Sequence, residues 1–148
     1  MKKETKLYNV FFPIWILWIF PIIWLIVIPV NFIVDSLVLL ISMSCLKILE
    51  RKQFYKKHIL PVFLFGLLAD IIGSAFIFLL VFVFELGIVG DELYLTIPGV
   101  LVAGIMIFVF NYFVTFKKID KQLRFKLSLI YAIVTAPYTF LIPTAWIY

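Results

Sequence analysis

The sequence has few of the residues from which most catalytic and metal sites are built. It contains one cysteine, Cys45, and one histidine, His58, and only 14% of its residues are charged. A single cysteine excludes an intramolecular disulfide and a cysteine-based metal cluster, and a single histidine excludes most His-rich metal and triad arrangements. No Gly-rich phosphate loop, GxSxG elbow or HExxH motif is present. We therefore expect no cofactor and no metal, and a non-enzymatic role is favoured.

Apolar residues, in contrast, are abundant. They make up 66% of the chain and give a mean hydropathy of +1.20, whereas soluble domains are roughly half apolar and about a quarter charged. Several stretches without charge are long enough to cross a bilayer, which takes about 20 apolar residues as a helix. The composition predicts an all-α integral membrane protein with a single transmembrane domain over 1–148. Nucleic-acid binding is not expected, because no soluble domain would present a basic patch.

The thirteen basic residues fall in three blocks that separate the apolar stretches. The first block is Lys2, Lys3 and Lys6; the second is Lys47, Arg51, Lys52, Lys56 and Lys57; the third is Lys117, Lys118, Lys121, Arg124 and Lys126. Between the second and third lies an acidic segment with Asp91 and Glu92. Because Lys and Arg are retained on the cytoplasmic side, the blocks predict a cytoplasmic N-terminus, an outer acidic loop and an outer C-terminus. The second and third blocks, from Lys47 to Arg124, are also candidate contacts for anionic headgroups.

The stretches between these blocks predict five spans, at 8–28, 32–49, 59–85, 95–116 and 126–146. The first two come from 40 residues, 7–46, without a basic side chain, which as one helix would be about 60 Å long, about twice the hydrocarbon thickness. We place a turn at residues 29–31, because proline cannot donate to a helix and disfavours helical geometry in its predecessor. A re-entrant hairpin over 8–49 is the alternative for this region.

Asp70 is the most conspicuous polar residue within the predicted spans. Gly66, Asp70 and Ser74 recur every four residues and share a helix face, with Ala69 and Gly73 beside them. Small residues allow close helix approach, so Gly66, Ala69, Gly73 and Ser74 form a predicted packing seam that turns Asp70 toward protein. Ionised and alone at the bilayer centre, Asp70 would cost roughly 3 kcal/mol, so it needs a partner, a proton or water.

Other polar residues at helical spacing complete a candidate intramembrane polar site. On the fourth and fifth spans, Asn111, Tyr131 and Thr135 could meet Asp70 near mid-depth. Asp35 is a secondary candidate that would cap the second span near the outer surface, away from Asp70. The structural interpretation is that these groups make interhelical hydrogen bonds, worth about 0.6 kcal/mol each, and serve packing only.

Two functional hypotheses from different classes are consistent with these features. The first is a non-enzymatic bundle that self-associates or joins a membrane complex through its small-residue seams. The alternative is a transporter or channel component in which Asp70 handles a proton or cation. An intramembrane enzyme comes third, because most such chemistry needs two carboxylates to meet. The preference for lysine over arginine, with abundant Ile and Phe, is typical of an AT-rich bacterial genome and favours a bacterial plasma membrane.

Overall fold

Helices form almost all of the described chain, which comprises residues 21–83 and 92–138 of a computed structural model. In chain order they are α1 (Pro21–Cys45), α2 (Arg51–Phe82), α3 (Glu92–Phe110), a π-helical segment (Asn111–Thr115) and α4 (Lys121–Val134). No strand occurs in the described residues. Three stretches are long and apolar enough to cross a membrane, namely Pro21–Cys45, Arg51–Phe82 and Thr96–Thr115. The structure is thus compatible with a membrane protein.

The predicted turn at residues 29–31 is wrong. Helix α1 runs without a break from Pro21 to Cys45 and contains Pro29, so 8–28 and 32–49 are not separate helices over the described residues. Proline is tolerated inside membrane helices because neighbouring helices, hydroxyl side chains or local backbone adjustments satisfy the backbone groups that it frees. Residues 1–20, which form most of the first predicted span, lie outside the described part. As a consequence, Asp35 lies within a helix and not at its start.

The predicted fifth span, 126–146, is also wrong as a single helix. Helix α4 begins earlier, at Lys121, where Asp120 caps it by accepting a hydrogen bond from the Gln122 amide at 3.1 Å. It ends at Val134, because Pro137 lacks an N–H and disfavours helical geometry in the residue before it. The spans predicted at 59–85 and 95–116 correspond to α2 and α3 with shifted ends. Residues 84–91, with most of the acidic loop, and 139–148 lie outside the described part.

Helices α1 and α2 form an antiparallel hairpin through the short loop 46–50. Lys47 adopts a left-handed conformation with φ of 54°, and the Ile48 amide donates to the Met43 carbonyl at 3.0 Å while the Lys47 amide donates to the Ser44 carbonyl at 3.4 Å. These two bonds define a Schellman cap, in which glycine usually occupies the left-handed position. The tight cap ends α1 sharply and sends α2 back along it.

The second and third basic blocks lie at the same end of the bundle. Lys57 of α2 and Lys118 of the loop between α3 and α4 line one groove. This common placement is what the charge pattern implies for two cytoplasmic blocks. Which side of a membrane this end faces, like the number of spans, stays a prediction.

The inner and outer faces of α1 show how the helices pack. Its buried residues are spaced three and four apart, as expected for one helix face: Asp35, Val38, Leu39, Ser42 and Met43. The opposite face exposes large apolar side chains, including Ile26, Ile33 and Ile41. A helix that is polar in part of its buried face and apolar on its exposed face is suited to a lipid environment.

Helices α2 and α3 approach each other at Gly99. A Cβ at Gly99 would overlap Cδ1 and Cγ1 of Ile77 and lie 3.4 Å from the Gly73 carbonyl oxygen. We expect Gly99→Ala to lower the stability by about 1–3 kcal/mol, as overpacking does in tight interiors. In the double variant Gly99→Ala/Ile77→Ala, the loss should be smaller than the sum of the two single-variant losses, because the truncated side chain no longer meets the added methyl group. Thermal unfolding of the detergent-solubilised protein measures both effects.

Gly104→Ala is the matched control for that prediction. Its Cβ would meet only the Ala132 carbonyl oxygen, at 3.4 Å, while the gain in helix propensity is the same as at Gly99. An equal loss of stability at both positions, or additive losses in the double variant, would contradict the proposed contact between Gly99 and Ile77.

Candidate intramembrane acidic site

Asp35 and Asp70 line the same small cavity between α1, α2 and the end of α4. Its volume is about 30 Å³, and its lining residues are Asn31, Val34, Asp35, Gly66, Asp70 and Thr135. The expectation that Asp35 and Asp70 do not meet is therefore wrong. The reason is the continuity of α1, which places Asp35 well inside the helix and opposite the middle of α2. We call this cavity and its lining residues the acidic site.

Helical spacing and one glycine bring the two carboxyl groups together. Asn31 and Asp35 are four residues apart on α1, and Gly66 and Asp70 are four apart on α2, so each pair projects from one helix face. A Cβ at Gly66 would lie 3.5 Å from Oδ2 of Asp35. Because glycine has no side chain, the Asp35 carboxyl group can lie directly against the α2 backbone.

Asp70 is almost fully buried and only partly satisfied. Its side chain is 5% exposed, and Oδ2 accepts a hydrogen bond from Nδ2 of Asn31 at 3.3 Å. Oδ1 is buried and has no hydrogen-bond partner in the described part of the chain. The nearby Ser74 hydroxyl donates instead to the backbone carbonyl of Asp70, at 2.9 Å. Since an unpartnered buried carboxylate oxygen is costly, the site has capacity for a further proton or cation.

Tyr131 and Thr135 connect α4 to the acidic site. The fully buried Tyr131 donates its hydroxyl to the backbone carbonyl of Asp35 at 2.9 Å, which ties α4 to α1 beside the cavity. The Thr135 hydroxyl donates to the Tyr131 carbonyl at 2.8 Å. Because its proton is used in that bond, Thr135 can offer oxygen lone pairs to a group in the cavity.

No basic side chain lies near these two acids along their own helices. The nearest on α2 are Lys57 and His58, and His58 precedes Asp70 by 12 residues, or about 18 Å of helix. Helix α1 contains no Lys, Arg or His. Two buried carboxyl groups that line one cavity without a counter-charge are unfavourable if both are ionised and dry. The oxygen atoms of Asp35, Asp70, Asn31 and Thr135 are the type of ligand that hard cations prefer.

The structure brings together part of the polar site predicted from the sequence. Asp70 and Thr135 line the cavity, and Tyr131 lies beside it through its bond to Asp35. Asn111 does not line it: this residue is fully buried at the start of the π-helical segment, and neither side-chain amide atom has a partner among the described residues.

Asn31 is the residue of the acidic site that the sequence does not predict. The proline rule places it in a turn beside Pro29, whereas it lies on α1 and donates to Asp70. The signal that could have identified it is the four-residue spacing between Asn31 and Asp35 in an otherwise apolar stretch, which places both on one face of a continuous helix.

The predicted small-residue seam of α2 lies inside the chain. Gly66 faces Asp35 of α1, and the Gly73 carbonyl lies near Gly99 of α3. Ala69 and Ser74 are buried as well. Helices of the same chain therefore cover most of this surface, with Gly66 half-buried.

No family model, curated protein or solved structure matches this chain. The dimensions of the acidic site limit what it can bind. Pockets for small organic ligands usually measure roughly 300–1,000 Å³, whereas this cavity measures about 30 Å³. A cavity of only about 10–15 Å³ is enough to hold one water. The size suits one or two waters or a small ion, and not an organic substrate or a peptide.

Proposed function

We propose that this chain binds a small cation between Asp35 and Asp70 and acts as a component of a membrane transport or channel system. The observation that supports this most is the convergence of two carboxyl groups on one small cavity, in which Oδ1 of Asp70 has no partner within the described residues. Intramembrane acids that face the interior of a bundle are typical of ion and proton pathways.

Charge balance supports a cation as the ligand. Helix α1 has no basic side chain, and no basic residue follows His58 on α2. Two ionised carboxylates would therefore leave the site with two negative charges that neither helix compensates. A divalent cation would neutralise both, and a monovalent cation would neutralise one while the other carboxyl group holds a proton. Either state removes most of the cost of burying unpaired charge.

Thermal unfolding of the purified chain in detergent tests this proposal. We expect at least one of LiCl, NaCl, KCl, MgCl₂ and CaCl₂ to raise the melting temperature in a saturable manner, relative to choline chloride at equal ionic strength. A ligand that binds only the folded state adds about 2.7 kcal/mol of stability at 100 times its dissociation constant. Proteoliposomes loaded with the stabilising cation then measure flux. Equal melting temperatures in all six salts would contradict cation binding.

A structural bundle that joins a membrane complex is the second candidate, and a groove between α3 and α4 favours it. This apolar groove has a volume of about 410 Å³, and its lining includes Gly104, Ala132 and Ala136. Small residues four apart, such as Ala132 and Ala136, allow close approach of another membrane helix. Under this alternative the acidic site serves packing only, and stability does not respond to the choice of cation.

A further inference from the structure

A groove at the basic end of the bundle is separate from the acidic site and presents positively charged side chains. It lies between the loop 46–50 with the start of α2 and the loop 116–120 with the start of α4, and its volume is about 420 Å³. Polar and charged residues of both loops and helices line it: Glu50, Gln53, Lys57, His58 and Lys118. We call it the basic groove.

Two lysines from different basic blocks give the groove its charge. Lys57 and Lys118 line it, and no described residue forms an ion pair with either. Among the described residues, Glu50 is the only acid in the lining, so the two lysines leave the lining with a net positive charge. Arg124, by comparison, is engaged elsewhere: its guanidinium carbon lies 4.3 Å from the centre of the Tyr112 ring, and Nη2 donates to the Tyr112 hydroxyl at 3.2 Å.

The first turn of α2 adds a second source of positive potential. Glu50 occupies the N-cap position of this 32-residue helix and makes no side-chain capping bond, whereas Asp120 does cap α4. The first amide groups of a helix lack partners inside the helix and attract anions such as phosphate. Glu50 and Gln53 place this turn at the edge of the groove.

His58 is a buried polar group that also lines the groove. It is 4% exposed, and Nδ1 lies 2.8 Å from the Phe54 carbonyl oxygen. A carbonyl can only accept, so Nδ1 carries the proton of that bond. Nε2 has no partner within the described residues and in neutral histidine can accept a hydrogen bond from a hydroxyl group.

These groups match a phospholipid more closely than a soluble anion. The groove lies where α1 ends, α2 begins and the π-helical segment after α3 ends, and helix ends of this kind are where membrane spans meet the headgroup layer. Phe54 and Ile119 add apolar surface to its lining, which suits the glycerol and upper acyl region of a lipid. We propose that the basic groove binds the phosphodiester headgroup of an anionic phospholipid, with a headgroup hydroxyl donating to Nε2 of His58.

Native mass spectrometry of the full chain in detergent tests this proposal, with dioleoylphosphatidylglycerol and dioleoylphosphatidylcholine as titrants. We expect phosphatidylglycerol to bind at least tenfold more tightly. Lys57→Gln/Lys118→Gln should weaken its binding roughly tenfold to thirtyfold, since each lysine near a lipid surface contributes about 1 kcal/mol. His58→Phe keeps a ring beside Phe54 and Phe116 but removes Nε2, and should weaken binding roughly threefold to tenfold.

The matched control is Lys56→Gln/Lys126→Gln, which removes the same charge from the same two blocks at residues that do not line the groove. It should leave the preference for phosphatidylglycerol within about twofold of the native chain. An equal loss in both double variants would show diffuse attraction to the basic surface and overturn the assignment. Equal binding of the two lipids, or displacement of bound lipid by millimolar inorganic phosphate, would also overturn it.

Discussion

Asp70→Asn should abolish the cation-dependent rise in melting temperature and any cation flux through proteoliposomes. The amide can still accept a hydrogen bond from Asn31 but carries no charge, so the apparent affinity for the cation should fall at least about 100-fold, as expected when a buried charge loses its partner. In choline chloride the variant should unfold at the same temperature as the native chain or higher, because it replaces a buried acid whose Oδ1 is unpartnered in the described part of the chain. Melting curves in choline chloride and in the stabilising salt separate the two effects.

Ser74→Ala is the control for Asp70→Asn. Ser74 lies one turn further along α2, and its hydroxyl is bonded to the Asp70 carbonyl and not to the carboxyl group. This variant should keep the full cation response. A cation response that survives Asp70→Asn would move the binding site elsewhere, and a large loss of stability in choline chloride would show that Asp70 serves packing.

Gly66→Leu should eliminate the acidic site by filling it. A leucine side chain at this position projects toward Oδ2 of Asp35, which lies 3.5 Å from the first added atom, and its branch exceeds the space that a cavity of about 30 Å³ provides. We expect loss of the cation response together with about 1–3 kcal/mol of destabilisation from overpacking. Melting in the two salts measures both quantities, and size-exclusion chromatography with light scattering measures the mass.

Gly66→Ala is the matched variant for this prediction. Its Cβ would make an ordinary contact at 3.5 Å, so the fold should be retained and the cation response reduced but present. The mass should be the same for the native chain and both variants, because Gly66 faces α1 of its own chain. A change of oligomeric mass in Gly66→Leu with an unchanged cation response would instead support association through the α2 seam.

The burial of Asp70 could be predicted from the sequence because two independent constraints agree. Small residues flank it at helical spacing, and an isolated acid facing lipid would be costly. The proximity of the second and third basic blocks could be predicted in the same way from charge. Both inferences depend on residue composition and on helical spacing. Neither changes when the predicted helix ends are wrong by several residues.

The proximity of Asp35 to Asp70 could not be predicted, because Pro29 is expected to end a helix and does not. Proline usually kinks or ends a helix, because it lacks the N–H of one helix hydrogen bond and its ring clashes with the carbonyl group four residues back. In an apolar environment the helix continues, which moves Asp35 from a helix start to a position opposite Gly66. Pro137 has the opposite outcome, since α4 does end shortly before it. Sequence alone does not distinguish the two prolines.

The π-helical segment determines which way the aromatic ring at its C-terminal end points. The Phe116 amide donates to the Asn111 carbonyl at 2.9 Å, five residues back, so the segment holds one residue more than an α-helical turn and rotates the residues after it by about 100°. Phe116 is thereby buried, with ring centres 5.4 Å from His58 and 6.3 Å from Tyr131. Tyr131 in turn bonds to Asp35. The π-helical segment thus places Phe116 in a row of contacts that links the basic groove to the acidic site.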